Sequence, residues 1–96
     1  MTIKSIIKEI YMITSLKETV NGMVSSDYKQ RFIAEYSQLE YRIAKLDQML
    51  TKWEKGELGF TPTCPKELLQ LQLTTMKSLL QILNLRATKE NISVEE

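Results

Sequence analysis

The chain has 96 residues, with 13 Lys and Arg against 12 Asp and Glu, and a formal net charge of +1. This length allows one domain, and the balanced charge argues against a protein that binds nucleic acid through bulk charge. There is no His, and the one cysteine is Cys64. The chain therefore lacks the most common general base, an intrachain disulfide and a cysteine-cluster zinc site.

We accordingly expect a protein that is not an enzyme and that uses no metal and no cofactor. A single free cysteine is simplest to reconcile with a reducing, cytoplasmic setting. No uncharged apolar run reaches the length of a membrane span, so we expect no membrane partner. Nucleic acid is the least favoured partner, because lysines alternate with acidic residues and form no basic stripe.

A first helix is predicted over residues 3–22, because apolar residues recur there on one broad face. Asn21 and Gly22 are expected to end this helix, with Gly22 in the left-handed conformation that glycine adopts at low cost. Ser25, Ser26 and Asp27 then offer side-chain oxygens to cap the next helix.

Two longer helices are predicted over 27–57 and 65–91, within a single domain spanning 1–96. Apolar residues alternate there at steps of four and three, the spacing of packed helices. The first series is Phe32, Tyr36, Leu39, Ile43, Leu46, Leu50 and Trp53; the second is Leu69, Leu73, Met76, Leu80, Leu83 and Ala87. A turn rich in Gly and Pro separates them and folds them back on each other. The predicted fold is all-α: an antiparallel, coiled-coil-like helical hairpin plus an N-terminal helix.

The last helix is too apolar for one partner. Lys77 is its only charge between Leu68 and Leu85, and apolar side chains occupy about two-thirds of its circumference at 100° per residue. We therefore expect copies of the chain to associate. Gln72 projects into this apolar arc, where it either fixes helix register or subunit pairing or faces a ligand.

Cationic and aromatic residues collect at the open end of the predicted hairpin. An antiparallel pairing brings together Tyr28, Arg31, Glu35, Tyr36 and Arg86. One interpretation is a solvated ion pair between Arg31 and Glu35, four residues apart, with tyrosine rings covering the end of the hairpin. The other is a nucleotide pocket, in which arginines hold phosphate and a tyrosine stacks on a base.

The sequence from residue 27 onward resembles that of a known family. The matching elements are Tyr28-x-x-Arg31, Glu35, a Leu-x-x-Lys-Leu-like stretch up to Leu46, Leu68-Leu69-x-x-Gln72, Met76 and Leu83-x-x-Arg86. They resemble the short helical-hairpin accessory proteins of phages and prophages, first catalogued from crAss-like phage. The resemblance covers residues 27–92, and its pattern falls on Tyr28, Arg31, Glu35, Gln72, Met76 and Arg86.

This resemblance implies a phage accessory protein. Small proteins of this kind include inhibitors of bacterial defence that sequester nucleotide immune signals. We therefore expect an anti-defence protein that binds a cyclic nucleotide or a cyclic ADP-ribose type of ligand without cleaving it. Its expected ligand-binding residues are Tyr28, Arg31, Glu35, Tyr36, Gln72, Met76 and Arg86. The alternative is a helical inhibitor whose apolar face docks on a host defence protein.

Overall fold

The computed structural model describes residues 13–94, which are helices, turns and connecting segments with no strand. A 3-10 helix, Leu16–Thr19, leads into a one-turn helix α1, Val20–Met23. The long helices are α2, Tyr28–Glu54, and α3, Lys66–Glu90. The predicted all-α class is therefore confirmed.

The start of the chain differs from the single helix predicted over 3–22. Residues 3–12 of that helix lie outside the described residues. Ser15 has an extended backbone and forms a capping box with Glu18, so the 3-10 helix begins only at Leu16. The three hydrogen bonds that Glu18 accepts, led by the one from the Thr14 backbone N–H, lower the pKa of this carboxylate.

Gly22 does not have the left-handed conformation expected of it, since it is part of α1 and, of the described glycines, only Gly56 has a positive φ. A Cβ atom at position 22 would lie 3.2 Å from both the Ala34 Cβ atom and the Gln30 carbonyl oxygen. Gly22 therefore lets α1 approach the backbone of α2 closely.

Both ends of α2 follow local chemistry. Asp27 caps the first turn by accepting a hydrogen bond from the Lys29 N–H, and the Ser25 hydroxyl accepts one from the Asp27 N–H. The helix ends three residues before the predicted residue 57, next to Gly56 at φ 72°. Helix α3 begins directly after Pro65 and ends at Glu90, followed by the C-cap residue Asn91, whose backbone is left-handed.

Hydrogen bonds between the two long helices join the start of α2 to the end of α3, and the end of α2 to the first turns of α3. Tyr28 at the start of α2 bonds to Glu90, Tyr36 donates to Asn84, and Glu54 at the end of α2 accepts from Gln70. Every residue of the two predicted apolar series is buried or half-buried. The core cluster comprises Phe32, Tyr36, Leu39, Leu83, Ala87 and Ile92.

One face of α3 is left exposed among residues 13–94. Its side chains form what we call the α3 stripe: Leu68, Leu71, Leu79, Ile82 and Leu85, each between 42% and 69% exposed. No helix of residues 13–94 combines the length and the hydropathy that crossing a bilayer requires.

Candidate functional site

The start of α2 and the end of α3 form a polar group that we call the end cluster: Tyr28, Phe32, Arg86 and Glu90. The Tyr28 hydroxyl donates to the Glu90 carboxylate at 2.5 Å and accepts from the Arg86 guanidinium at 2.8 Å. The Arg86 Nε atom donates to the same carboxylate at 3.1 Å. The guanidinium carbon also lies 5.0 Å from the Phe32 ring centroid.

These contacts lower the pKa of Glu90 and raise the pKa of Tyr28 and of Arg86. The hydrogen bond from Tyr28, followed by that from Arg86, lowers the pKa of Glu90. The hydrogen bond to Glu90 raises the pKa of the Tyr28 hydroxyl, and Arg86 has its pKa raised first by Glu90. The charges of the end cluster therefore already neutralise each other.

Three other predicted site residues do not join this cluster. The Arg31 guanidinium donates to the Ser25 carbonyl oxygen at 2.8 Å, and Glu35 is exposed. Arg31 thus binds the segment that precedes α2 and does not pair with the Glu35 carboxylate. Tyr36 is fully buried, and its hydroxyl donates to the Asn84 side chain at 2.8 Å.

Gln72 and Met76 lie elsewhere, in an open groove between α2 and α3. The groove encloses about 320 Å³, and its lining residues are Leu16, Tyr41, Arg42, Lys45, Leu46, Leu69, Gln72 and Met76. Gln72 was predicted to project into the apolar arc; it is exposed, with its amide N–H₂ 3.8 Å from the Met76 sulfur. The arc of α3 is wider than the surface that α2 covers, so Gln72 lies at the edge of the contact.

The groove combines cations, an aromatic ring and an apolar floor. The Lys45 ammonium lies 5.4 Å from the Tyr41 ring centroid. Arg42 and Lys45 are exposed, whereas Tyr41, Leu46, Leu69 and Met76 are half-buried. Such a surface suits a ligand with a flat ring and a negative charge. Within residues 13–94 no group of three or more acidic or cysteine side chains could hold a metal ion.

A family model, Sequestin, matches residues 26–89, which is more than half of the chain. The chain belongs to the Sequestin family. No curated protein and no solved structure has a significant match to it. The Sequestin match contains α2 and almost all of α3, and with them every lining residue of the groove except Leu16.

Tyr41, Arg42 and Lys45 were not among the predicted site residues of this Sequestin chain. The positions three and four residues away from Arg42 and Lys45 on the same helix carry no carboxylate, so neither cation has an ion-pair partner on its own helix. The same holds for Lys52 and Lys77, so the sequence alone does not select the groove cations. Searching for arginine near tyrosine led instead to the end cluster.

Proposed function

We propose that this Sequestin-family chain binds a nucleotide-derived immune signalling molecule, of the cyclic nucleotide or cyclic ADP-ribose type, and sequesters it. In this proposal it is a phage-encoded anti-defence protein that acts in the cytoplasm of the bacterial host. The family match carries the proposal, since its name suggests sequestration. The cationic, tyrosine-lined groove adds chemistry that suits a nucleotide.

The proposed mechanism is binding without catalysis. A sequestering protein lowers the free concentration of its ligand by mass action, so it requires affinity and copy number and no bond-breaking groups. Neither a metal nor a cofactor has a part in this mechanism. The ligand would be released chemically unchanged when the protein is denatured.

The proposal includes an oligomer in which a second copy of the chain covers the α3 stripe. Five large apolar side chains on one face of one helix favour self-association in a chain with such a small core. Analytical ultracentrifugation tests this part. We expect the chain to sediment as a dimer or larger and Ile82→Lys to sediment as one chain; a wild-type protein that remains a single folded chain at high concentration contradicts it.

Calorimetry tests the binding proposal directly. The full chain is titrated with a panel of cyclic mononucleotides, cyclic dinucleotides and cyclic ADP-ribose isomers at protein concentrations well above micromolar. We expect at least one member to bind tightly and to be recovered intact after denaturation. Silence across the whole panel would refute the proposal, and recovery of a cleaved product would refute the absence of catalysis.

The α3 stripe favours one other function, a protein inhibitor that docks on a host defence protein. The tagged chain, expressed in a host with an active defence system, distinguishes the two. A sequestering protein releases a small molecule on denaturation, whereas an inhibitor of this kind retains a specific polypeptide. Ile82→Lys would abolish retention of the polypeptide.

A further inference from the structure

The groove contains two cations that form no ion pair with a carboxylate in the part of the chain that the structure describes. Arg42 and Lys45 are three residues apart on α2, a spacing at which like charges repel each other. Neither has a carboxylate partner within 4.0 Å among residues 13–94, where the ion pair formed is that of Arg86 with Glu90. An anion placed between Arg42 and Lys45 would relieve this repulsion and would gain charge-assisted hydrogen bonds.

The ring beside these cations is available for stacking. Tyr41 is half-buried, and the Lys45 ammonium lies over its ring, 5.4 Å from the centroid. An exposed contact of this kind is weak, about 0.5–1 kcal/mol. A flat base can replace the ammonium on the ring, because base stacking on an aromatic side chain is at least as strong. Lys45 would then turn to the phosphate of the same ligand.

The opposite wall offers groups that can read the rest of a base. The Gln72 amide has both donors and an acceptor, and the neighbouring Met76 thioether is polarisable and adapts to flat rings. Leu46 and Leu69 supply apolar surface between the two walls. At about 320 Å³ the groove is at the lower end of the range of small-molecule pockets, so it matches one nucleotide unit rather than two.

We propose that the groove, and not the end cluster, is the ligand site, and that each chain binds one nucleotide unit there. The base stacks on Tyr41 against Gln72 and Met76, and the phosphate lies between Arg42 and Lys45. This inference rests on the proposed function and deepens it, since a ligand with two nucleotide units would require the grooves of two chains.

Adenosine 5′-monophosphate is the probe for the site, because it carries one base and one phosphate. It is titrated into the isotope-labelled full chain, and chemical shifts are followed by NMR. We expect saturable shifts at Tyr41, Lys45, Gln72 and Met76, with Arg86 and Glu90 unchanged. Shifts confined to the end cluster, or no saturable shift up to millimolar probe, would overturn the inference.

Variants then separate the two parts of the groove. Lys45→Gln is expected to weaken binding of the probe by about tenfold, the effect of losing one charged hydrogen bond. Tyr41→Leu should weaken it by a similar factor, whereas Tyr41→Phe should retain it. The matched control is Lys77→Gln, which removes an exposed cation of α3 outside the groove lining. Equal loss in Lys77→Gln and Lys45→Gln would show attraction by overall charge alone and would contradict the site.

The outcome distinguishes this inference from the proposed function. If the probe binds in the groove while the cyclic nucleotide panel is silent, the groove binds nucleotides and the sequestration of a cyclic signal is refuted. If the panel contains a tight ligand that is insensitive to Lys45→Gln and Tyr41→Leu, sequestration stands and the groove is refuted as its site.

Discussion

The end cluster and the groove contain the same kinds of side chain and use them differently. In the end cluster, the Arg86 guanidinium contacts the Glu90 carboxylate, the Tyr28 hydroxyl and the Phe32 ring within one chain. In the groove, Arg42 and Lys45 lie beside Tyr41 without a carboxylate within the described residues. Proximity of cation and ring is therefore common to both regions. The presence or absence of an internal counter-charge separates a group that stabilises the fold from one that suits an anionic ligand.

The largest expected effect comes from the core that supports both regions. Leu83 is 1% exposed and packs in the core cluster. Leu83→Ala should lower the free energy of unfolding by about 3 kcal/mol, through lost burial and the cavity left behind. Urea denaturation measures this loss. The control is Val24→Ala, because Val24 is 71% exposed and should change stability little. Equal losses of unfolding free energy in the two variants would show that the core cluster does not stabilise the fold.

Removing one tyrosine hydroxyl from the core and one from the groove compares how much each hydroxyl contributes to stability. The buried Tyr36 hydroxyl bonds to the half-buried Asn84 side chain, so Tyr36→Phe should cost about 1 kcal/mol of unfolding free energy. Tyr41→Phe removes a hydroxyl of the groove and should cost clearly less. Chemical denaturation of both variants at one pH makes the comparison. A larger loss for Tyr41→Phe would mean that its hydroxyl has a structural role that the groove interpretation lacks.

Removing one arginine from each region should change stability in opposite directions. Arg86→Gln breaks the ion pair with Glu90 and the bond to Tyr28, so a small loss of stability is expected. Arg42→Gln relieves repulsion with Lys45, and a gain of about 0.2–0.5 kcal/mol is expected at low salt. Thermal melts at low and high salt test the pair, because salt should reduce both effects. If Arg42→Gln is the more destabilising variant, the proposed difference between the end cluster and the groove is wrong.

The smallest effect is a pH dependence confined to the end cluster. The pKa of Glu90 is lowered in the folded chain by the bonds from Tyr28 and Arg86. Its contribution to stability is therefore present above its unfolded pKa, near 4.5, and is lost as the pH falls through its folded pKa. The difference in melting temperature between wild type and Glu90→Gln should shrink as the pH falls below 4.5. A difference that stays constant from neutral pH to strong acid would show that the Glu90 charge is irrelevant.

The long helices could be predicted because their apolar spacing is itself the physical cause of the packing. Helices α2 and α3 begin within one residue of the predicted 27 and 65 and end within three of the predicted 57 and 91. The start of the chain could not be predicted in this way, because the capping box at Ser15 and the close approach of Gly22 to Ala34 act locally against the apolar pattern. A helical periodicity does not show where such local bonds interrupt it.

The candidate site was less accessible to sequence reasoning. Tyr28 and Arg86 were placed together correctly, but which acceptor each cation contacts depends on rotamers and on Glu90, which the sequence pattern did not single out. Arg31 contacts a backbone oxygen of Ser25, a partner that side-chain pairing rules omit. Gln72 appeared interior because its helix is apolar over most of its circumference, and only the geometry shows that α2 leaves this side open.

The most direct test of the account compares Lys45→Gln and Arg86→Gln in parallel calorimetric titrations with the same tightly bound member of the cyclic nucleotide panel. Each variant removes one positive charge, one from the groove and one from the end cluster. The account predicts that Lys45→Gln weakens binding by about tenfold and that Arg86→Gln binds like the wild type. Binding that is lost in Arg86→Gln and retained in Lys45→Gln would contradict it.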